Sequence, residues 1–263
     1  MKLYDCATAP SPRRVRVFMA EKGIEIETIQ VDLSTGEQFS EAFKAINPLG
    51  EVPLLQLDDA TTISQVNAIC RYLEELYPDN PLHGRTPLER ALVESANNQA
   101  MMNGFMAGAE ALRNAVPGMK NRAMPGPHNY PQIPALAERG LQRIDNYFSD
   151  LDSHFESSQY MVNDYFSVAD ISILVFIDFA KWVKKRIPED HKHLARWYHN
   201  YFSDLDAHFE SSQYMVNDYF SVADISILVF IDFATWVKKR IPEDHKNLAR
   251  WYQQVSQRPS ATA

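Results

Sequence analysis

Asn47-Pro48-Leu49-Gly50-Glu51-Val52-Pro53-Leu54-Leu55-Gln56-Leu57 is a turn that runs straight into a strand. The Asn-Pro pair and Gly50 punctuate the chain, and the apolar run after them suits an extended, buried segment. Working outward, Leu3-Tyr4-Asp5 opens a first strand, followed by the turn-prone Ala7-Thr8-Ala9-Pro10-Ser11-Pro12. An amphipathic helix over Arg13–Lys22 stops at Gly23. Ile24–Val31 alternates with acidic residues as a second strand, and Phe39–Ile46 reads as helix. Beyond the quoted stretch, Asp58-Asp59 turns the chain back towards Thr61-Thr62-Ile63, and Ser64 is placed to cap a helix through Leu76. The order β-α-β-α-β-β-α describes a small α/β domain that ends at the breaker-rich Tyr77-Pro78-Asp79-Asn80-Pro81.

Composition narrows the classes. A chain of 263 residues with 45% apolar content can bury one large core or two modest ones. The net charge is −8, and no stripe of Lys and Arg gathers to neutralise phosphates, which argues against nucleic acid. Cys6 and Cys70 form neither a CxxC nor a zinc spacing, so neither a disulfide framework nor a metal site is implied. The longest apolar stretch, Ile171–Ala180, contains Ser172 and Asp178 and is too short to span a bilayer. Met1-Lys2-Leu3-Tyr4 opens without an apolar leader, from which a cytoplasmic location is expected.

The second half repeats itself. Residues 146–199 and 200–253 are one 54-residue unit written twice, differing only at Ser153/Ala207, Lys181/Thr235, His193/Asn247 and His199/Gln253. Two copies do not make a solenoid, and the unit begins inside a helical pattern that starts near Ile133, so it is not a self-contained domain. Each copy carries a helix-start signal, Ser167-Val168-Ala169-Asp170 in the first, with the three-residue spacing of a capping box. The helix that follows, Ile171–Lys184, is apolar nearly all round and should lie at the centre of a helical domain. Pro188 opens a shorter helix, and with no Gly or Pro from there to Glu210 the two copies are expected to join through one continuous helix, the alternative being an interruption at Asn200.

The motifs now have a family likeness. Lys2-Leu3-Tyr4, Arg13-Arg14-Val15-Arg16, the Asn47–Leu55 run, Ala68-Ile69-Cys70-Arg71-Tyr72-Leu73-Glu74 and the Ser167–Asp170 box together resemble the glutathione transferase superfamily. The likeness covers nearly the whole chain apart from the extra copy. It implies a thioredoxin-like α/β domain over residues 1–80 and an all-α domain over 87–263, enlarged by the tandem duplication. It also implies glutathione as co-substrate, a small electrophile as its partner, and a homodimer, with exchange of the duplicated helix as one way to cover it. The resemblance makes Val52–Pro53 a cis peptide, a form that costs about 0.5–1 kcal/mol before proline. Its use is to leave the Val52 N–H and C=O facing the cysteinyl backbone of glutathione.

Conjugation needs the glutathione sulfur as a thiolate. A free thiol titrates near ~8.5, and lowering that by about two units takes roughly 3 kcal/mol of differential stabilisation. A hydroxyl and the amides at the start of the first helix can supply it. Ser11 is the preferred hydroxyl; Thr8 is the other one on offer. Ala9 stands where serine-using classes place their hydroxyl, and Ala9–Arg16 resembles an atypical fungal and bacterial branch that activates the thiol through a held water. Asn103, on the helical stretch Pro87–Asn114, is one residue able to position such a water. Gln65-Val66 replaces the usual Glu-Ser pair, so Gln65 offers the γ-glutamyl ammonium only a neutral amide oxygen, while the Val66 N–H can face the carboxylate. Weaker glutathione binding, or compensation by another acidic residue, follows. The competing reading is a glutathione-binding or structural protein of the same fold with little activity; a maleylacetoacetate-isomerase-like role lacks its Ser-Ser-Cys segment.

A helical domain has one central slot, and two nearly identical apolar helices compete for it. Leaving either in water would expose large side chains at roughly 1.5–3 kcal/mol each, so the second copy must be covered within an enlarged bundle or by a neighbouring subunit. Removing one 54-residue copy from 263 residues leaves 209. Deleting 200–253 should give a protein that folds and binds glutathione at least as well, checked by thermal unfolding and calorimetry. Failure of the shortened chain to fold would contradict that expectation.

Overall fold

A computed structural model describes residues 1–200, 241 and 245–256. They divide into two units, Met1–Val15 with Ile26–Ala195, and Arg16–Glu25 with the described residues from Arg196 onward. In the first unit, strands β1 (Lys2–Asp5), β2 (Glu27–Gln30), β3 (Leu54–Gln56) and β4 (Thr62–Ser64) form one sheet in the order β2-β1-β3-β4. β2 runs parallel to β1, while β3 and β4 are antiparallel to their neighbours. Leu3 and Leu55 face each other in register with no exposure, and Tyr4, Val31, Phe43 and Leu54 form a cluster beside them. This is the expected mixed α/β arrangement.

Helix α1 (Pro10–Glu21) begins three residues before the Arg13 start read from the sequence. A proline fits the first turn of a helix because its missing N–H would have had no partner there. β2 and β3 are shorter than their sequence patterns suggested, starting at Glu27 and Leu54. α2 (Glu41–Ile46) is capped by Ser40, whose hydroxyl accepts the Phe43 N–H at 3.2 Å. α3 (Val66–Leu76) corrects the role given to Ser64, which ends β4. The cap position falls to Gln65, held at φ 73° without a side-chain cap bond.

The helical layer follows. α4 (Pro87–Gln99) passes through a π-helical segment, Ala100–Phe105, into α5 (Met106–Ala115). α6 (Pro134–Phe155) lies against α5, closely enough that a Cβ on Gly140 would meet the Ala107 carbonyl oxygen at 2.6 Å. α7 (Val168–Ala180) is the helix expected at the centre, and all thirteen of its residues are buried. Gly104 and Gly108 give it room: a Cβ on either would approach Phe176 or Phe179 within 3 Å. The first copy of the repeat thus fills the central slot. Its counterpart, Ser221–Lys238, lies outside the described residues.

The polar groups around α7 tie the layers of this unit together. Arg13 of α1 donates to Asp178 at 2.8 Å, and both side chains are buried. Lys181 also donates to Asp178. Arg14 lies over the Phe105 ring at 4.3 Å, donates to Met101 Sδ, and reaches Ser172 Oγ at 3.5 Å. Burial lowers the Arg14 guanidinium to about 10.

The helix expected from Pro188 starts at residue 192 instead. Asp152 explains the shift, because its Oδ1 accepts the His193 and Leu194 N–H groups at 2.8 Å each. The helix runs through 199 and 200, and its expected continuation to Glu210 lies outside the described residues. α8 (Lys246–Ser256) buries Leu248, Trp251 and Val255.

Asp170 provides a test of the α7 start. Its carboxylate accepts the Ser167 N–H at 3.0 Å, the Ser167 hydroxyl at 2.8 Å and the Met161 N–H at 2.8 Å. Burial outweighs these bonds and pushes the carboxyl up to about 7. A carboxyl whose folded value is raised binds more protons folded than unfolded, so its contribution falls as pH rises from about 4 to 7 and then levels. Asp170→Asn should remove that slope while losing an acceptor. Urea unfolding at pH 5 and pH 7 should show a wild-type advantage that shrinks towards the higher pH.

Candidate functional site

The register of the sheet assembles the site. Tyr4 pairs with Leu54 and Leu54 with Ser64, so the exit of β1, the entry of β3 and the exit of β4 share one end of the sheet. The segments that leave or enter at that end are Cys6–Ala9, Glu51-Val52-Pro53 and Gln65-Val66. Each was singled out in sequence except Glu51.

The first segment is held by Gln30, at the end of β2. Gln30 Nε2 donates to Asp5 Oδ2 at 2.6 Å, and Gln30 Oε1 accepts the Ala7 N–H at 2.8 Å. The Ala9 N–H then closes a turn on the Cys6 carbonyl at 3.0 Å, and α1 begins. Ser11 lies within the first turn of α1, half-buried. Among the described residues no hydrogen bond engages its hydroxyl. Thr8 is exposed, with its Oγ1 3.5 Å from Cys6 Sγ.

The second segment owes its shape to Asn47. This buried side chain donates from Nδ2 to the Glu51 carbonyl at 2.7 Å and accepts the Leu49 N–H at 3.2 Å. Gly50 sits at φ 61°, where a Cβ would lie 3.0 Å from the Gln38 carbonyl and the Phe39 ring, so glycine is required on both counts. The Val52–Pro53 peptide is cis. Among the described residues no hydrogen bond engages the Val52 N–H or C=O.

The third segment opens α3. Gln65 Nε2 donates to Glu51 Oε2 at 3.1 Å, a contact across fourteen residues of sequence. α3 has no acidic residue in its first turn, and Val66 is buried at its head. Sequence reasoning missed Glu51; an acidic residue directly before the Val-Pro pair was the only signal.

Other candidates disperse. Asn103 is exposed within the π-helical segment. Arg13 and Arg14 are committed to Asp178, Ser172 and Phe105. The His154 ring contacts the Tyr160 carbonyl and the His191 ring the Ser149 hydroxyl. Trp182 is 39% exposed and packs edge-on against Phe179. Among the described residues no group of three His, Cys, Asp or Glu is placed to hold a metal ion, and no helix is long and apolar enough to cross a membrane. Both cysteines are free and buried, and burial pushes the Cys70 thiol up to about 12.

Comparison with known proteins fits this arrangement. The glutathione S-transferase N-terminal domain matches residues 8–76, and the glutathione S-transferase C-terminal domain matches residues 122–204 and again 198–259. The chain belongs to the glutathione S-transferase family. It is 32% identical over 203 residues to glutathione S-transferase 2 of Saccharomyces cerevisiae, covering 75% of this chain and 84% of that one. It is 33% identical over 176 residues to maleylacetoacetate isomerase of Rattus norvegicus, covering 65% and 74%. A glutathione S-transferase domain-containing protein of Marinobacter aquaeolei VT8 superposes with a TM-score of 0.70 at 31% identity, covering 76% of this chain and 97% of that one. Glutathione is the co-substrate of this family of transferases.

The transferase loop offers a direct test. Asn47→Ala removes the donor to the Glu51 carbonyl and the acceptor of the Leu49 N–H. It should cost about 1–3 kcal/mol in stability, measured by urea unfolding. Glutathione affinity, measured by calorimetry, should fall with it.

Proposed function

We propose that this transferase holds glutathione along the Val52 edge and adds its thiolate to small apolar electrophiles. One observation carries the reading: among the described residues no hydrogen bond engages either backbone group of Val52, which stands beside the cis Pro53 at the end of the sheet where α1 and α3 begin. An extended cysteinyl residue needs one N–H and one C=O in that relation. Val66, at the head of α3, offers its N–H to the γ-glutamyl carboxylate, and Gln65 offers its amide to the ammonium.

Ser11 is proposed as the group nearest the sulfur. Its place in the first turn of α1 adds the helix amides to its hydroxyl, and both favour the thiolate. Thr8 and a water held by a residue such as Asn103 are the alternatives. The water route would join this chain to the atypical fungal and bacterial branch, and Ala9, without a hydroxyl, favours it. The rival function is glutathione binding without appreciable turnover, to which Ala9, Gln65 and Val66 lend support. Affinity capture followed by an assay with a small aromatic electrophile separates the two.

The wider reading keeps a thioredoxin-like domain over 1–80 and a helical domain over 87–263 that the tandem copy enlarges. It includes a homodimer, with exchange of the second copy as one means of covering it. Two free thiols favour a reducing compartment, in keeping with a cytoplasmic location.

Titrating the bound thiol in the parent and in Ser11→Ala tests the mechanism. With Ser11 as partner, the variant's thiol pKa should rise by about one unit or more, and turnover at pH 6.5 should fall about tenfold. An unchanged thiol pKa and unchanged turnover would remove Ser11 and leave the water.

A further inference from the structure

We infer that Glu51 carries the negative charge that recognises the γ-glutamyl ammonium of glutathione, in place of the carboxylate that Gln65 lacks. The inference rests on the reading of the Val52 edge as the glutathione site. The amino-acid end of glutathione presents an ammonium and a carboxylate together. A helix start can answer the carboxylate, but the ammonium needs acceptors, and an anion answers it best. α3 supplies none of its own, because its first turn holds no acidic residue and its cap residue is a neutral glutamine.

Glu51 comes from a different loop to fill that place. Its Oε2 accepts from Gln65 Nε2 at 3.1 Å, so the amide is turned with Nε2 towards the carboxylate and keeps Oε1 as a second acceptor. The Glu51 backbone cannot drift, since Asn47 holds its carbonyl at 2.7 Å. On the other side the turn at Gly126 closes in: a Cβ there would lie 3.6 Å from Glu51 Oε1. Arg113 also feels the Glu51 charge, but its Nη1 is spent on the Arg122 carbonyl at 3.0 Å. Glu51 adjoins Val52, so the anion stands one residue from the groups assigned to the cysteinyl backbone. The lost family carboxylate is thereby moved from the head of α3 to the loop that faces it.

The experiment compares glutathione with N-acetylglutathione, whose blocked nitrogen carries no charge, in steady-state kinetics and calorimetry on the full chain. Wild type should prefer glutathione. Glu51→Gln keeps the volume and an acceptor for Gln65, and should weaken glutathione binding and raise its KM by about tenfold or more. kcat should change by less than about twofold, and the preference over the acetylated ligand should vanish. The double variant Glu51→Gln with Gln65→Glu transposes the charge and should recover most of the lost affinity. Equal loss for both ligands, unrestored by the transposition, would mean that Glu51 only shapes the loop and would overturn the inference. So would a Glu51→Gln protein that binds glutathione like wild type. If wild type itself fails to bind or turn over glutathione, the functional reading falls as well, and the two failures are told apart.

Discussion

Arg13 and Asp178, 2.8 Å apart and almost without exposure, set the position of everything that surrounds them. Stripping water from two charges costs several kcal/mol per ion, so the pair is stable only while its geometry holds. That requirement makes the start of α1 and the end of α7 one rigid joint. Arg14 reinforces it from the next residue, laid over Phe105 and reaching Ser172. The turn that carries Ser11 is the turn braced by these two arginines. The helical core therefore determines where the first-helix amides point, and the sheet determines what they point at.

Much of this was legible in the sequence wherever the cause is local. Ser167 and Asp170 sit three apart, and their bond is made within one turn. Asn47, Pro48 and Gly50 announce a turn, and the turn forms. What could not be read depends on distant partners. Nothing near Arg13 says that its counter-charge lies 165 residues away, and nothing near Glu51 says that Gln65 will meet it. The cap of α3 was misplaced because a glutamine at φ 73° contradicts local preference; the surrounding fold overrides it. The helix expected at Pro188 begins at 192 because Asp152, on another helix, supplies the cap.

The repeated unit shows the same division between local and distant causes. Both copies carry the signals for the same helices, and sequence alone gave no preference between them. The first copy enters the core, with Lys181 joined to Asp178 beside Arg13. At the matching place the second copy has Thr235, which offers no positive charge. One substitution among four thus falls on the most demanding electrostatic position of the helical layer.

The two cysteines carry a consequence for chemoselectivity. A protein that handles electrophiles is exposed to alkylation of its own sulfur, and the rate of that damage follows thiolate content and access. Cys70 is sealed beside Arg14, yet desolvation prevails over the nearby cation and keeps its thiol protonated through the physiological range. Cys6, at the foot of the loop leading to α1, is likewise shut from solvent. The sulfur of a visiting tripeptide is then the nucleophile that an incoming electrophile meets, and the scaffold survives its own substrates.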